Sequence, residues 1–382
     1  MTPPVAAAGV RACDTSLSVE WDDGTSAVFP GIWLRDNLPE DRDRHSGQRQ
    51  IDVTELPIEP RIGSATLEEA HVRILWKGES RVSSFELAWL YEHAAAGGAR
   101  PELDLHHWLD AARLEPRRDF NWRSMAALQA DPRARLEWLT RLLQDGIAFL
   151  SDVPRVDGGL LEAMTLVGRV AETNYGLVFD VRAVPQPENL AYSDIGLGLH
   201  TDNPYREPVP GFQALHTLLA APDGGDSLFA DGFALAEHLR ATDSQAFAIL
   251  TRTPVPFRYR SQDADLYAER ALIELACTGA IAAVHYNSRS IEPLRLPADD
   301  CRNFYSAYRQ FGQLLREPRF QLRTRLADGD LVVFDNQRIL HGRTGFASAR
   351  HPRHLRGCYL TRDSVYSETA LLRRRIGSGE RL

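Results

Sequence analysis

At 382 residues, with 43% hydrophobic and 25% charged side chains, the chain has the composition of a soluble globular protein, enough for one large domain or two ordinary ones. The formal charge of -8 argues against nucleic acid as a partner, because phosphate binding needs a basic face. The sequence has no run of about eighteen apolar residues to span a membrane, Met1 to Val10 lacks the features of a secretory signal, and the four scattered cysteines form no CxxC pair, so a cytoplasmic location with no membrane contact is expected.

In chain order, Leu17 to Trp21 alternates apolar and polar residues and turns through Asp22-Asp23-Gly24, which predicts a strand and hairpin. A second alternating stretch runs from Val72 to Trp76, and the spacing from Phe85 to His93 is helical. Residues 1–100 therefore read as a small, mostly β domain, 101–120 as a linker and 121–382 as a larger domain. The larger part opens with a helix capped by Asp131, with Pro132 in its first turn and Leu136, Leu139, Leu142 and Leu143 along one face. Gly146 ends it, and Ile147 to Leu150 follows as a buried strand. A helix near Leu160–Val170 precedes short strands at Phe212–Leu218, Ala282–Tyr286, Phe320–Thr324, Leu331–Phe334 and His354–Leu360. One long helix, with Phe304, Tyr308, Phe311 and Leu315 on one side, interrupts them. Mostly β structure with flanking helices points to a jelly-roll barrel. The basic run Arg373-Arg374-Arg375 reads as a solvated helix face, and the helix near Leu371–Ile376 is available for a homodimer.

His200-Thr201-Asp202 and the distant His341-Gly342-Arg343 carry the chemistry. On a strand, residues two apart face the same side, so His200 and Asp202 would point together into a barrel. Two histidines and one carboxylate form the facial set suited to non-heme Fe(II) and oxygen chemistry, with open positions opposite. A lone HxD is weak evidence in a chain with 12 histidines. The distal histidine on a strand end, and Arg353 twelve residues after it, make the pattern specific. An arginine there can fork onto a carboxylate of 2-oxoglutarate. His216, His285, His351 and His354 have no carboxylate two residues on and read as structural.

From about residue 121 onward the chain resembles the Fe(II)/2-oxoglutarate oxygenases of the taurine dioxygenase superfamily. Over its whole length it is similar to the γ-butyrobetaine hydroxylase-like branch. The resemblance rests on Gly31-Ile32-Trp33-Leu34-Arg35-Asp36-Asn37, Gln48-Arg49, Asn189-Leu190-Ala191-Tyr192, His200-Thr201-Asp202, Gly224-Gly225-Asp226-Ser227, Asp231-Gly232-Phe233, His341-Gly342-Arg343 and Arg353-His354-Leu355. It implies a double-stranded β-helix catalytic domain behind the small N-terminal domain. It also implies iron on His200, Asp202 and His341, 2-oxoglutarate on Arg353, Ser227 and Asn189, and O2 as co-substrate. Tyr175, Phe179, Tyr192 and Tyr359 resemble the family's aromatic cage for a trimethylammonium group, which π-faces hold because it offers no donors. Asn189 and Asn287 match positions that contact the substrate's anionic end.

Two departures stand out. The family's N-terminal zinc cysteines are replaced by Leu38, Glu40 and Asp43, and residues 77–81 hold no histidine, so no N-terminal zinc is expected. Arg289, two residues beyond Asn287, adds a guanidinium at the anion site. That favours a small-molecule substrate such as 2-(trimethylammonio)ethylphosphonate, of a related branch, over γ-butyrobetaine. A further alternative is a sulfonate or amino acid without an ammonium group.

Overall fold

The structure is a computed structural model that describes residues 7–80, 82–94, 103–182, 193–347 and 353–378. It divides into two compact units, Met1–Glu102 and Leu103–Leu382.

The first unit holds two three-stranded antiparallel sheets. One is built from Ala7–Cys13, Ser16–Trp21 and Ser26–Pro30, the other from Ile62–Glu68, His71–Trp76 and Val82–Glu86. The alternation at Leu17, Val19 and Trp21, and at Val72, Ile74 and Trp76, turns those side chains into one core. The helical reading from Phe85 needs correction. Phe85 is a buried strand residue, and the helix is Leu87–Glu92. Leu38 joins the core. Asp43 Oδ1 accepts from the His45 and Ser46 amides, and Glu40 Oε1 accepts from the Ser84 amide at 3.1 Å. These three positions thus hold their loops by packing and hydrogen bonds.

In the second unit, a seven-stranded sheet runs in the order Phe179–Arg182, His354–Leu360, Phe212–Leu219, Leu331–Asp335, Ile147–Ser151, Trp122–Ser124, with Val170–Ala171 also paired to His354–Leu360. A four-stranded sheet runs Leu197–His200, Ile339–Arg343, Ser227–Asp231, Leu322–Thr324. This is a mostly β architecture with flanking helices. Phe149, Phe229, Val332, Phe334 and Ile339 form an apolar cluster drawn from both sheets. The helix Pro132–Asp145 begins at the Asp131 cap and stops at Gly146, whose φ of +75° suits glycine. Its Trp138, Leu139 and Leu142 pack with Ala148, Leu150 and Leu331.

Several elements differ from expectation. Residues 103–120 do not behave as a linker. Trp108, Ala111 and Phe120 are buried in the second unit, and the Trp108 indole donates to the Asp145 carbonyl. The helix expected near Leu160–Val170 spans only Gly159–Met164. Helices Gly232–Thr242 and Ser244–Arg252 were not anticipated. The first is nearly enclosed, with Phe233, Leu235, Ala236 and Leu239 buried, and helical periodicity fades when most positions are apolar. In the C-terminal helix Arg362–Ser378, Leu372 is buried in this unit's own core with Ile376 packed against it. That apolar face is therefore occupied within the chain. No helix among the described residues is long and apolar enough to cross a membrane.

Candidate active site

The strands Leu197–His200 and Ile339–Arg343 are antiparallel neighbours, and their register sets His200 directly opposite His341. Their rings lie 4.3 Å apart, centroid to centroid. Gly342 permits this approach, since a Cβ there would fall 2.5 Å from the Leu197 carbonyl oxygen. Asp202 completes the group, but not as a strand residue. The strand ends at His200, and Asp202 lies in the following turn. It is held by the buried Asn336, whose Oδ1 accepts from the Asp202 amide at 2.7 Å and whose Nδ2 donates to the Asp202 carbonyl at 3.0 Å. Thr201 is pinned as well, its amide donating to the Tyr286 carbonyl.

The three side chains offer ligand atoms that all lie within 4.8 Å of one another. His200 Nε2 is 3.3 Å from Asp202 Oδ1, and His341 Nε2 is 3.8 Å from Asp202 Oδ2. His200 Nδ1 sits 2.9 Å from the Gly198 carbonyl, which can only accept, so the proton belongs on Nδ1 and Nε2 is left bare. Burial, reinforced by His200, pushes the His341 imidazole down to about 3, so it is neutral as a ligand must be. Burial alone would raise Asp202. His341, His200 and the Tyr359 hydroxyl outweigh it and hold the carboxyl below the usual range. Bare imidazole nitrogens and an ionised carboxylate around one point fit Fe(II).

This triad lines a cavity of about 460 Å³. Arg353, Arg343 and Ser227 also face it. Arg353 is buried, and desolvation followed by repulsion from Arg343 lowers it to about 10, still protonated at neutral pH. Arg343 donates to the Ser193 carbonyl at 2.6 Å.

Three of the four aromatics expected in a cage come together. Phe179 lies 5.1 Å from Tyr359 and 6.2 Å from Tyr175. Room for the Phe179 ring exists because residue 357 is glycine, where a Cβ would lie 2.5 Å from the ring edge. Tyr192 and Asn189 lie outside the described residues, as does His351. Two aromatics were missed: Tyr259, 6.0 Å from Tyr175, and Tyr205, stacked on Tyr259 at 5.3 Å. Tyr205 follows Asp202 by three residues, a clue within the motif itself, whereas nothing local marks Tyr259. The Tyr359 hydroxyl donates to Asp202 Oδ2 at 2.8 Å, a contact that strand spacing could not reveal.

At the anionic end, Asn287 lines the cavity, but its amide is engaged in the loop. Nδ2 donates to the Thr201 carbonyl at 3.0 Å, and Oδ1 accepts from the Arg289 amide at 3.3 Å. Arg289 also lines the cavity, and water reaches it through the mouth. Its guanidinium has no hydrogen bond or ion pair among the described residues. Glu292, its nearest acid in sequence, pairs instead with Arg260 at 3.2 Å. Enough protein surrounds Arg289 that desolvation lowers its pKa, against the pull of Asp202. The other histidines read as structural fall outside the triad. His216 hydrogen-bonds the Val153 carbonyl, His285 meets Glu274, and His354 meets Asp180.

The family model for the taurine catabolism dioxygenase TauD, TfdA family matches residues 104–359. The chain belongs to this family. The oxygenase also carries a match to the γ-butyrobetaine hydroxylase-like N-terminal model over residues 10–91. It is 33% identical over 368 residues to a γ-butyrobetaine dioxygenase of Pseudomonas sp. (strain AK-1), covering 94% of each chain. It is 29% identical over 377 residues to the γ-butyrobetaine dioxygenase of Homo sapiens, covering 95% of this chain and 96% of that one. A trimethyllysine dioxygenase of Meyerozyma guilliermondii is 27% identical over 378 residues, with 94% and 93% covered. With its His-Asp-His group, this oxygenase is an Fe(II)/2-oxoglutarate-dependent dioxygenase.

Proposed function

We propose that the enzyme hydroxylates a small anion bearing a trimethylammonium group, with 2-(trimethylammonio)ethylphosphonate favoured over γ-butyrobetaine. His200, Asp202 and His341 hold Fe(II) in this reading, and Arg353 with Ser227 holds the distal carboxylate of 2-oxoglutarate. When bound, Fe(II) with 2-oxoglutarate and O2 supplies the oxidising power that converts C–H to C–OH, releasing succinate and CO2.

The chain's own part is positioning. A quaternary ammonium has no N–H to donate, so aromatic faces suit it better than a carboxylate does. Tyr175, Phe179, Tyr359, Tyr205 and Tyr259 supply such faces in one cavity. The relatives named for γ-butyrobetaine and trimethyllysine support the same ammonium chemistry.

The observation that favours the phosphonate is the Arg289 guanidinium, which has no hydrogen bond or ion pair among the described residues, beside an Asn287 already tied into its loop. A guanidinium suits a doubly charged, three-oxygen group through several parallel hydrogen bonds. The test is succinate formation by the Fe(II)-loaded protein with each compound, using wild type and Arg289→Ala. Arg289→Ala should depress turnover of the phosphonate far more than that of the carboxylate. Equal losses rule out the phosphonate assignment. Stimulation by neither compound leaves the iron site standing but removes this account of the substrate.

A further inference from the structure

Tyr359 belongs to two structures at once. Its ring lines the cavity and lies 5.1 Å from Phe179, while its hydroxyl donates to Asp202 Oδ2 at 2.8 Å. The strand His354–Leu360 pairs Tyr359 with Gln213 on one side and Ala171 on the other, so neighbouring strands hold its backbone on both sides. The phenol is buried, and a tyrosine hydroxyl, with an ordinary pKa of about 10, is protonated at neutral pH and so can donate.

The partner oxygen matters. Asp202 Oδ1 lies 3.3 Å from His200 Nε2, whereas Oδ2, the atom Tyr359 holds at 2.8 Å, stands 3.8 Å from His341 Nε2. A carboxylate can bind a metal through one oxygen or both. Facial-triad chemistry needs its remaining positions for the co-substrate and oxygen. A hydrogen bond that occupies Oδ2 restricts the torsion of the carboxylate, and would leave Oδ1 as the oxygen offered to a bound ion. Asn336 holds the backbone of the same residue, so the tyrosine constrains the one part of Asp202 that Asn336 leaves free to turn.

We infer that Tyr359 is a positioning residue for the metal-binding carboxylate as well as a wall of the substrate cavity. The hydroxyl serves the metal and the ring serves the substrate. This rests on the assignment of iron to His200, Asp202 and His341. It implies that disturbance of the cage at Tyr359 is felt at the metal carboxylate, whereas disturbance at Tyr175 is not.

The two roles separate in Tyr359→Phe, which keeps the ring and deletes the donor. Co(II) titration of the full-length protein, followed by the visible absorption of the bound ion, reads the metal directly and needs no turnover. Tyr359→Phe should weaken Co(II) binding by about 10- to 100-fold, the usual effect of losing a partner of a ligand. Its substrate KM, measured at saturating Fe(II), should stay within about threefold, because a π-face remains. Tyr359→Leu should lose on both measures, and Tyr175→Leu on KM alone. His200→Ala serves as the reference for loss of the site. If His200→Ala abolishes Co(II) binding while Tyr359→Phe binds it like wild type, with the same spectrum, the positioning role is wrong and the iron site stands. If His200→Ala also binds unchanged, the iron assignment itself fails.

Discussion

Asn336→Ala tests how the site is built. Asn336 is fully buried, and among the described residues its side chain makes three hydrogen bonds: Oδ1 accepts from the Asp202 amide at 2.7 Å, and Nδ2 donates to the Asp202 carbonyl at 3.0 Å and the Pro210 carbonyl at 3.2 Å. Each such bond contributes about 1 kcal/mol net, so the truncation should cost about 3 kcal/mol, and more where a stranded group finds no water. For a domain of this size that corresponds to a fall in Tm of about 6–12 °C. The loop carrying Asp202 loses both of its backbone anchors to this side chain, so metal binding should weaken as well. A misplacement of about 1 Å at a reacting centre can cost about a hundredfold in rate. Scanning calorimetry and Co(II) titration on the same preparation read the two effects. Asn336→Asp sharpens the test, because it keeps the acceptor for the Asp202 amide but turns a second acceptor toward two carbonyls. It should therefore be no better than alanine. A Tm within about 2 °C of wild type, with unchanged Co(II) affinity, would refute the idea that this side chain places Asp202.

Three further outcomes are expected. Arg338→Met should cost about 3–5 kcal/mol, because it strands the buried Asp231 carboxylate held at 2.7 Å. Adding Asp231→Asn should recover part of that loss, and a double variant worse than the single by calorimetry would contradict the account. Gly357→Ala should push the Phe179 ring aside and raise substrate KM several-fold while leaving the 2-oxoglutarate KM unchanged; equal KM values for the substrate would show that the ring is not part of its binding surface. His216 is buried and its pKa is lowered by desolvation, so below its unfolded value of about 6.5 the unfolded chain takes up a proton that the folded chain resists. Its contribution is complete above that pH and is lost as pH falls toward the folded value. His216→Leu should therefore show a shallower decline of Tm between about pH 7 and 5 than wild type does. Parallel declines would sink the assignment.

Much of this protein is legible along the chain. The strands at Leu17–Trp21 and His71–Trp76 follow from alternation, and the helix Pro132–Asp145 follows from its Asp131 cap and Gly146 stop. The three members of the His-Asp-His group stand out because metal chemistry narrows the choice of side chains, and two of them lie within one tripeptide. Arg353, Phe179, Tyr175 and Tyr359 are legible in the sequence too, and the fold brings them to one cavity with the triad.

Other features are decided by contacts between residues far apart in sequence, for which no local period exists. His200 faces His341 only through the register of two strands. Asp202 takes its place from Asn336, 134 residues away, rather than from strand geometry. Tyr205 and Tyr259, far apart in sequence, extend the aromatic surface by stacking on each other, and Asn287 is drawn into its loop while Arg289 is left facing the cavity. Residue type limits which chemistry is possible, and that information is carried at each position of the sequence. Which oxygen of a carboxylate is held, and which guanidinium faces the cavity, are settled by distances that only the packed chain possesses.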